Sequence, residues 1–524
     1  MRPVYCDFGT QTVSRRAWLA GAATLVLPPW QAGQVDGVVR RRVLFAENPF
    51  QLGVASGDPT ADGVVLWTRL APQPLSGGGM PPTRVEVGWQ VARDEGFQQI
   101  VQEGTAIAAP QLGHSVHVEV AGLEPDRWYW YRFRAGSEES PVGRTRTLPA
   151  VETMPQALRF AFASCQHFET GYYTAYQHMA AENLDLIIHL GDYIYEGAGR
   201  ENLIRQHTGL EITSLEDYRN RHALYKSDAD LQTAHASCPW LVTWDDHEFD
   251  NNYASQVSEE TGIDEVAFLA RRANAYQAYY EHMPLRRSTV PRGPAMQIYR
   301  AVPFGRLTTF FVLDTRQYRS NQPNGDGKKP LEGEVFDPQA TMLGARQEGW
   351  LTAGLLHSET QWNVLAQQVM MARVDRLPGA GGHYSMDQWS GYDVPRKRLL
   401  RFLENRQVPN PVVLTGDIHT NYVNDLKVDF DRPESTTVAT EFVGTSISSA
   451  GDGMAKAAYT DTMLAENPFV RFHNAERGYV SCKVTPDAWR ADYQVVPFVT
   501  RRGAPLITRK SFVVAAGRPG AEVV

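Results

Sequence analysis

Cysteine is scarce, with four in 524 residues: Cys6, Cys165, Cys238 and Cys482. Four scattered cysteines exclude a disulfide scaffold, and any one pairing would be arbitrary. Long basic runs are absent, and the formal net charge is −8. That argues against nucleic acid as a general partner. It does not argue against an anionic substrate, because bound cations would invert the sign locally. No apolar stretch approaches the ~20 residues that span a bilayer. Internal repeats and low-complexity tracts are missing too. With 43% hydrophobic and 21% charged residues, the composition is ordinary and globular. The length suits two domains better than a single core.

The N-terminus carries an address. Ser14-Arg15-Arg16-Ala17-Trp18-Leu19 precedes an apolar run from Leu19 to Leu27. This looks like a twin-arginine export signal over residues 1–32, cleaved near Ala32. Its apolar core is too short for a mature membrane helix. The plain alternative is a chance Arg pair before a helix. The signal predicts a soluble periplasmic or secreted protein. The twin-arginine export machinery would carry it already folded, with any cofactor loaded in the cytoplasm.

Residues 45–149 read as all-β. GVVLWTRL (Gly63 to Leu70), RVEVGWQV (Arg84 to Val91) and HSVHVEV (His114 to Val120) have strand composition. Leu123-Glu124-Pro125 then leads into Trp128 to Phe133, which resembles the tyrosine corner of immunoglobulin-like and fibronectin-type sandwiches. Ala150 to Ala157 reads as a linker. From 158 to 500 the pattern is α/β. Leu158 to Ser164, Leu184 to Leu190, Pro239 to Trp244, Leu307 to Leu313, Asn363 to Val369 and Pro411 to Thr415 read as strands. Tyr173, Tyr176, Gln177 and Ala180 suit one helix face, as do Val266, Leu269, Ala270, Ala273 and Tyr276. Leu399 to Leu403 lies in a basic amphipathic helix. Ser320 to Glu334 reads as a surface loop, and 501–524 as a tail.

The stretch LDLIIHLGDYIY, Leu184 to Tyr195, organises the rest. An apolar strand delivers Asp192 to its carboxyl end, where α/β proteins place their chemistry. Gly191 permits the sharp turn. Three more apolar strands end in polar stretches: Ala163-Ser164-Cys165-Gln166-His167, Trp244-Asp245-Asp246-His247-Glu248 running on to Asn251-Asn252, and Gly416-Asp417-Ile418-His419. Carboxylates gathered at one sheet edge repel strongly without cations. A thiolate with a phenolate and a carboxylate suits a trivalent, redox-capable iron. Surplus carboxylates and an amide suit a hard divalent ion such as calcium. Each residue also has a plain reading. Asp192 and Asp246 could cap helices, Cys165 could be a small buried apolar side chain, and His419 a bonded core histidine.

GDYIY, WDDHE with its trailing Asn-Asn, and GDxH in this order resemble the PhoD-type alkaline phosphatases of the calcineurin-like metallophosphoesterase superfamily. Tyr218 to Tyr225 and the lead-in from Asp230-Leu231 to Pro239-Trp240 fit the same spacing. The resemblance spans most of the chain. It implies an N-terminal immunoglobulin/fibronectin-like β-sandwich followed by an α/β sandwich of two mixed sheets flanked by helices. It implies Fe3+ and Ca2+, with Cys165, Asp192 and Tyr195 on iron and Asp192 bridging. Asp246 and Asn252 would lie on the calcium side. Asp417 and His419 would close the site from the last strand. Ser164-Cys165-Gln166 stands where the wider superfamily often has Asp-x-His, which disfavours a plain zinc or manganese pair. His247, Asn252 and Arg221 are candidate phosphate contacts by position, and Asp192, His247 and Asn252 the candidate catalytic residues.

The activity expected is hydrolysis of phosphomonoesters, and of phosphodiesters, through a metal-activated oxo or hydroxo nucleophile. No Ser, Thr or Cys nucleophile elbow is evident. A phospholipase D-like phosphodiesterase acting on lipid head groups would share every ligand. A sandwich-bearing extracellular binding protein would explain the first domain but leave the four acidic strand ends without purpose.

Overall fold

The computed structural model describes residues 39–40, 44–376, 379, 381–432 and 434–524. The expected export signal lies outside the described residues. Strands β1 (Val39–Arg40), β2 (Val54–Gly57), β3 (Gly63–Arg69), β4 (Arg84–Ala92), β5 (Ile100–Ala108), β6 (Ser115–Ala121), β7 (Trp128–Ala135), β8 (Glu138–Glu139) and β9 (Gly143–Arg146) come first. β4 pairs antiparallel with β5 and β7 at the heart of a six-stranded sheet. β2, β3 and β6 lay their apolar face on it, so Val64 and Leu66 share a buried cluster with Val87, Val91, Tyr131 and Phe133. Alternation along β7 puts Tyr129, Tyr131 and Phe133 inside. The Tyr129 hydroxyl accepts the Glu124 N–H at 3.0 Å, which closes the corner entering β7.

There follow β10 (Leu158–Ala163), α1 (Thr174–Ala181), β11 (Leu186–His189), α2 (Leu215–Lys226), α3 (Ala229–Ser237), β12 (Trp240–Val242), α4 (Glu265–His282), β13 (Arg300–Phe304), β14 (Thr308–Val312), β15 (Lys328–Lys329), α5 (Gly344–Leu356) and β16 (Trp362–Ala366). The chain ends with β17 (Tyr384–Ser385), α6 (Asp393–Asn405), β18 (Pro411–Thr415), β19 (Asn421–Lys427), β20 (Thr437–Val443), α7 (Thr460–Glu466), β21 (Val470–Asn474), β22 (Arg477–Val484), β23 (Ala488–Val496), β24 (Ile507–Ala515) and β25 (Arg518–Val523).

Two large sheets face each other. One runs β25-β24-β23-β22-β10-β11-β12-β2-β3-β6, the other β13-β14-β16-β18-β20-β19-β21. β10, β11 and β12 are parallel, as are β14, β16, β18 and β20. Buried on both faces, these strands read as near-continuous apolar runs. Between the sheets, Phe160 meets Phe310 and Trp489 edge to face at 5.2 and 5.4 Å, contacts worth about 1 kcal/mol each beyond burial. Side chains from α1 to α4 join a cluster on the outer face of the first sheet, and those from α5 to α7 one on the second. The result is a mixed α/β arrangement with helices outside two sheets.

Some expectations need correction. The segment 501–524, expected as a tail, supplies β24, which pairs antiparallel with β23, and β25, which pairs antiparallel with β24. The all-β segment is not free-standing, because Gly57 of β2 pairs in parallel with Trp240 of β12. α4 exists, but Val266 is 58% exposed. Tyr276 is buried as expected, but the face is rotated, and the helix buries Phe268, Ala275, Ala278 and Tyr279 beside it. Likewise α1 buries Ala175, Tyr176 and Met179 while Gln177 faces solvent.

Candidate metal centre

The loops after β10, β11, β12 and β18 meet at one edge. Cys165 donates its N–H to Gly191 O at 3.0 Å, and Gln166 donates its own to Asp192 O at 3.1 Å, so the first two loops are zipped together. Gly191 has φ +113°, and a Cβ there would stand 2.4 Å from Asp245 Cβ. That close approach requires glycine. Cys165, Asp192, Asn252, Asp417 and His419 all have positive φ, between 48° and 67°. Non-glycine residues held there cost of order 1 kcal/mol each and persist where the surroundings over-determine them.

Glu248 is one over-determining element. Its carboxylate accepts the N–H groups of Asp192 at 3.1 Å, Tyr193 at 2.6 Å and Asp245 at 2.8 Å. It thereby pins the second and third loops to each other. Burial pushes this carboxyl up to about 7 despite those donors.

Two donor groups result. Cys165, Asp192 and His419 place one ligand atom each within 4.8 Å of one another, and so do Asp192, Asp246 and His247. Asp192 belongs to both. The Tyr195 hydroxyl donates to Asp192 Oδ2 at 2.9 Å and lies 3.2 Å from His419 Nε2. Asp192 Oδ1 is buried with no hydrogen-bond partner among the described residues. Asn252 donates its backbone N–H to Asp246 Oδ2 at 2.7 Å and its side-chain amide to Asp326 Oδ2 at 3.0 Å. Asp417 Oδ2 accepts from Gln388 at 3.1 Å. His247 is held through Nδ1 by Glu196 Oε2 at 2.7 Å. The rings of His247 and His167 flank Tyr195, with centroids 4.2 and 4.4 Å away.

The helix-cap reading of Asp192 fails, because the next helix is α2, beginning at Leu215. Asp246 likewise precedes a turn rather than a helix. Arg221, a candidate phosphate contact, instead braces a loop. Its guanidinium donates to Tyr195 O, to Gly197 O at 3.0 Å and to His207 Nδ1 at 3.0 Å. His167, Glu169 and His207 form a third potential donor group, but Arg221 already brings positive charge to it.

Electrostatics test whether cations fit. Burial, with Asp192 alongside, drives the Cys165 thiol and the Tyr195 phenol well above their usual ranges. Burial does the same to Asp192, against the pull of His247. Burial raises Asp417 to about 6. His419 is pushed down to about 3 by burial and by Arg477, so its imidazole is neutral. Against the cost of burial, Arg316 and His247 hold Asp246 well below the usual carboxylate range. A thiol, a phenol and a carboxyl gathered around a neutral imidazole, all penalised as anions, are short of positive charge. A bound cation supplies it. The donor set therefore fits metal ions.

Sequence reasoning gave no role to Glu248 and Glu196, which stand in the polar strand ends, and missed Ser449 and Arg316. Ser449 Oγ lies 2.8 Å from the Tyr195 hydroxyl and donates to Cys165 O at 2.7 Å. Arg316 follows β14 directly, an apolar strand running into Asp314-Thr315-Arg316. That is the same signal that revealed the other strand ends.

Residues 160–493 match the PhoD-like phosphatase family, and residues 37–149 match the PhoD-like phosphatase N-terminal domain. The chain is 53% identical to alkaline phosphatase D of Bacillus subtilis (strain 168) over 523 residues, covering 98% of this chain and 90% of that protein. A solved structure of PhoD superposes with TM-score 0.90 at 54% identity, covering 92% of this chain and 93% of the other. The chain belongs to the PhoD-like phosphatase family.

Proposed function

We propose that this chain is an exported, metal-dependent phosphatase that hydrolyses phosphomonoesters and also phosphodiesters, with Fe3+ and Ca2+ as its ions. The observation that carries the metal reading is Asp192, one carboxylate shared by two donor groups. Cys165, Asp192, Tyr195 and His419 would hold iron. Asp192, Asp246, Asn252 and Asp417 would hold calcium. Once bound, the ions supply positive charge for the phosphoryl oxygens and acidity for an attacking water.

The chain's own residues do the rest. Glu196 fixes the His247 ring through Nδ1, leaving Nε2 to donate to a phosphoryl or leaving-group oxygen. Asn252 is held against Asp246 by its backbone N–H, while its side-chain amide donates to Asp326 Oδ2. Glu248 keeps the loops from parting as charge develops. Cys165 is 1% exposed and sits among the iron donors, so it is not read as a nucleophile.

We read residues 45–149 as a sandwich module of immunoglobulin/fibronectin type and 158–500 as the catalytic part. The Tyr129 corner and the two packed layers around Val64 and Val87 support this. Export through the twin-arginine machinery rests on Arg15 and Arg16. Among the described residues no helix is long and apolar enough to cross a membrane.

The two alternatives are not favoured. A binding protein leaves the four acidic strand ends unexplained. A phospholipid diesterase shares every ligand, but nothing in the site singles out a lipid. Metal analysis beside rates on a phosphomonoester and on a phospholipid tests the proposal. Iron and calcium with a dominant monoester rate are expected. Full activity after both ions are stripped would defeat it.

A further inference from the structure

One side chain in the centre carries a fixed positive charge. Arg316 is fully buried. Asp314 Oδ1 accepts its N–H at 3.0 Å, which sets the turn after β14. Its Nε donates to Asp245 Oδ1 at 2.5 Å, and one terminal nitrogen to both Asp387 oxygens at 2.9 and 3.0 Å. The other terminal nitrogen lies 3.6 Å from Asp246 Oδ2 and 3.6 Å from Asp417 Oδ1. That nitrogen is buried and has no hydrogen-bond partner among the described residues. Four carboxylates thus surround one planar cation that never loses its proton.

The arrangement divides the carboxylates. Asp245 is held by the guanidinium through Oδ1, its Oδ2 being buried without a hydrogen-bond partner among the described residues, and Asp387 is held through both oxygens, a grip it shares with Arg319 and Gln322. Asp246 and Asp417 stand one step further off. They feel the charge without being captured, and each keeps oxygens for another partner. We propose that Arg316 is a built-in cation of this centre, a positioning residue that ties up Asp245 Oδ1, withholds Asp387 together with Arg319 from metal binding, and presents Asp246 and Asp417 to it. The inference rests on the metal-centre reading of these loops. It explains why, of the adjacent pair Asp245 and Asp246, one faces the donor group of Asp192 and His247 and the other does not.

A neutral side chain at this position removes the charge and frees Asp245, while Asp387 keeps Arg319 and Gln322. Asp245, Asp246 and Asp417, left without the guanidinium around one buried point, form a hard-oxygen site that attracts calcium. Arg316→Gln is therefore expected to bind about one more calcium per chain than wild type at millimolar calcium. Its calcium-free form is expected to melt well below wild type, with calcium restoring most of the loss. Arg316→Lys keeps the charge and is expected to keep the wild-type calcium count, but with kcat/KM at least about tenfold lower, because a point charge cannot hold two carboxylates in fork geometry.

The measurements are calcium stoichiometry by equilibrium dialysis and melting with and without calcium, on the full chain. Equal calcium counts in Arg316→Gln and wild type overturn the proposal. So does a calcium count raised in Arg316→Lys. If Arg316→Gln does not fold even with calcium, the Lys variant decides: a wild-type count supports the proposal, and a changed one overturns it. The difference between variant and wild type tests Arg316. The metal content of wild type by itself tests the metal-centre reading, so the two can fail separately.

Discussion

The Tyr195 hydroxyl donates to Asp192 Oδ2 across 2.9 Å, three residues along a chain that makes no helix there. The phenol is turned back onto the carboxylate at the head of its own loop. Burial and the Asp192 charge hold that phenol protonated, so a ferric ion must overcome both to take it as a ligand. A tyrosinate on ferric iron absorbs visible light by charge transfer. Purified protein should be coloured, and Tyr195→Phe should remove the band while the melting temperature moves by a few degrees at most. A colourless, iron-free and fully active wild type would refute the iron assignment.

Gly191 and Asp245 supply a backbone prediction. At φ +113°, with 2.4 Å from its would-be Cβ to Asp245 Cβ, Gly191→Ala combines strain with a clash against another loop's own Cβ. Neither atom is the end of a flexible side chain. The expected loss is more than about 3 kcal/mol, together with loss of bound metal. Urea unfolding beside metal analysis measures both. A variant as stable as wild type would mean that the two loops part easily.

How much of this was legible in the sequence follows physical lines. β10, β11, β12 and β18 were readable because a strand buried on both faces must be apolar, and its end is where the polarity returns. That exposed Cys165, Asp192, Asp246, Asp417 and His419. The joining of β2 to β12 was not readable, because pairing between strands 183 residues apart leaves no local trace (Gly57 against Trp240). β24 and β25 are hard to recognise in the sequence, since β24 carries three consecutive exposed polar residues, Thr508, Arg509 and Lys510. As the margin of a sheet they have one exposed side, so their pattern is weak. Glu248 and Arg316 were visible as letters, but their roles depend on contacts across loops.

Lys226 gives a pH prediction away from the centre. It is buried against the Trp67 ring at 4.3 Å and His235 Nε2 at 3.4 Å. Burial lowers its pKa from 10.5 to about 7. Between those values the unfolded chain holds a proton that the folded chain does not, so raising the pH favours folding. Stability should climb from about pH 7, with the gain from this group complete near 10.5, and it should amount to a few kcal/mol. Lys226→Met should flatten that climb and raise stability near pH 7. Urea midpoints of both proteins near pH 7 and about pH 9 decide it. An unchanged slope in the variant assigns the effect elsewhere.

Export makes a separate prediction. The address is read by a receptor rather than by hydrophobicity alone. Replacing Arg15 and Arg16 with Lys keeps charge and hydropathy but should strand the protein in the cytoplasm. Cell fractionation with an activity assay measures this. Normal export of the double-Lys protein would show that another route is used.

Asp192→Asn is the sharpest test of the centre. The amide is nearly the same size as the carboxylate, and the backbone at φ 56° suits Asn as well as Asp. Glu248 accepts the backbone N–H of this residue, not its side chain, so the loop should keep its place. What changes is the charge on the group shared by both donor sets. A neutral amide is a poor bridge between cations, so iron and calcium should fall together, and the rate on a phosphomonoester should drop by at least about a hundredfold. A variant of Asp246 should behave differently, losing calcium while iron stays. Comparing metal content in the two variants separates a shared carboxylate from two independent sites. If Asp192→Asn loses one kind of ion and keeps the other at wild-type level, the carboxylate does not bridge.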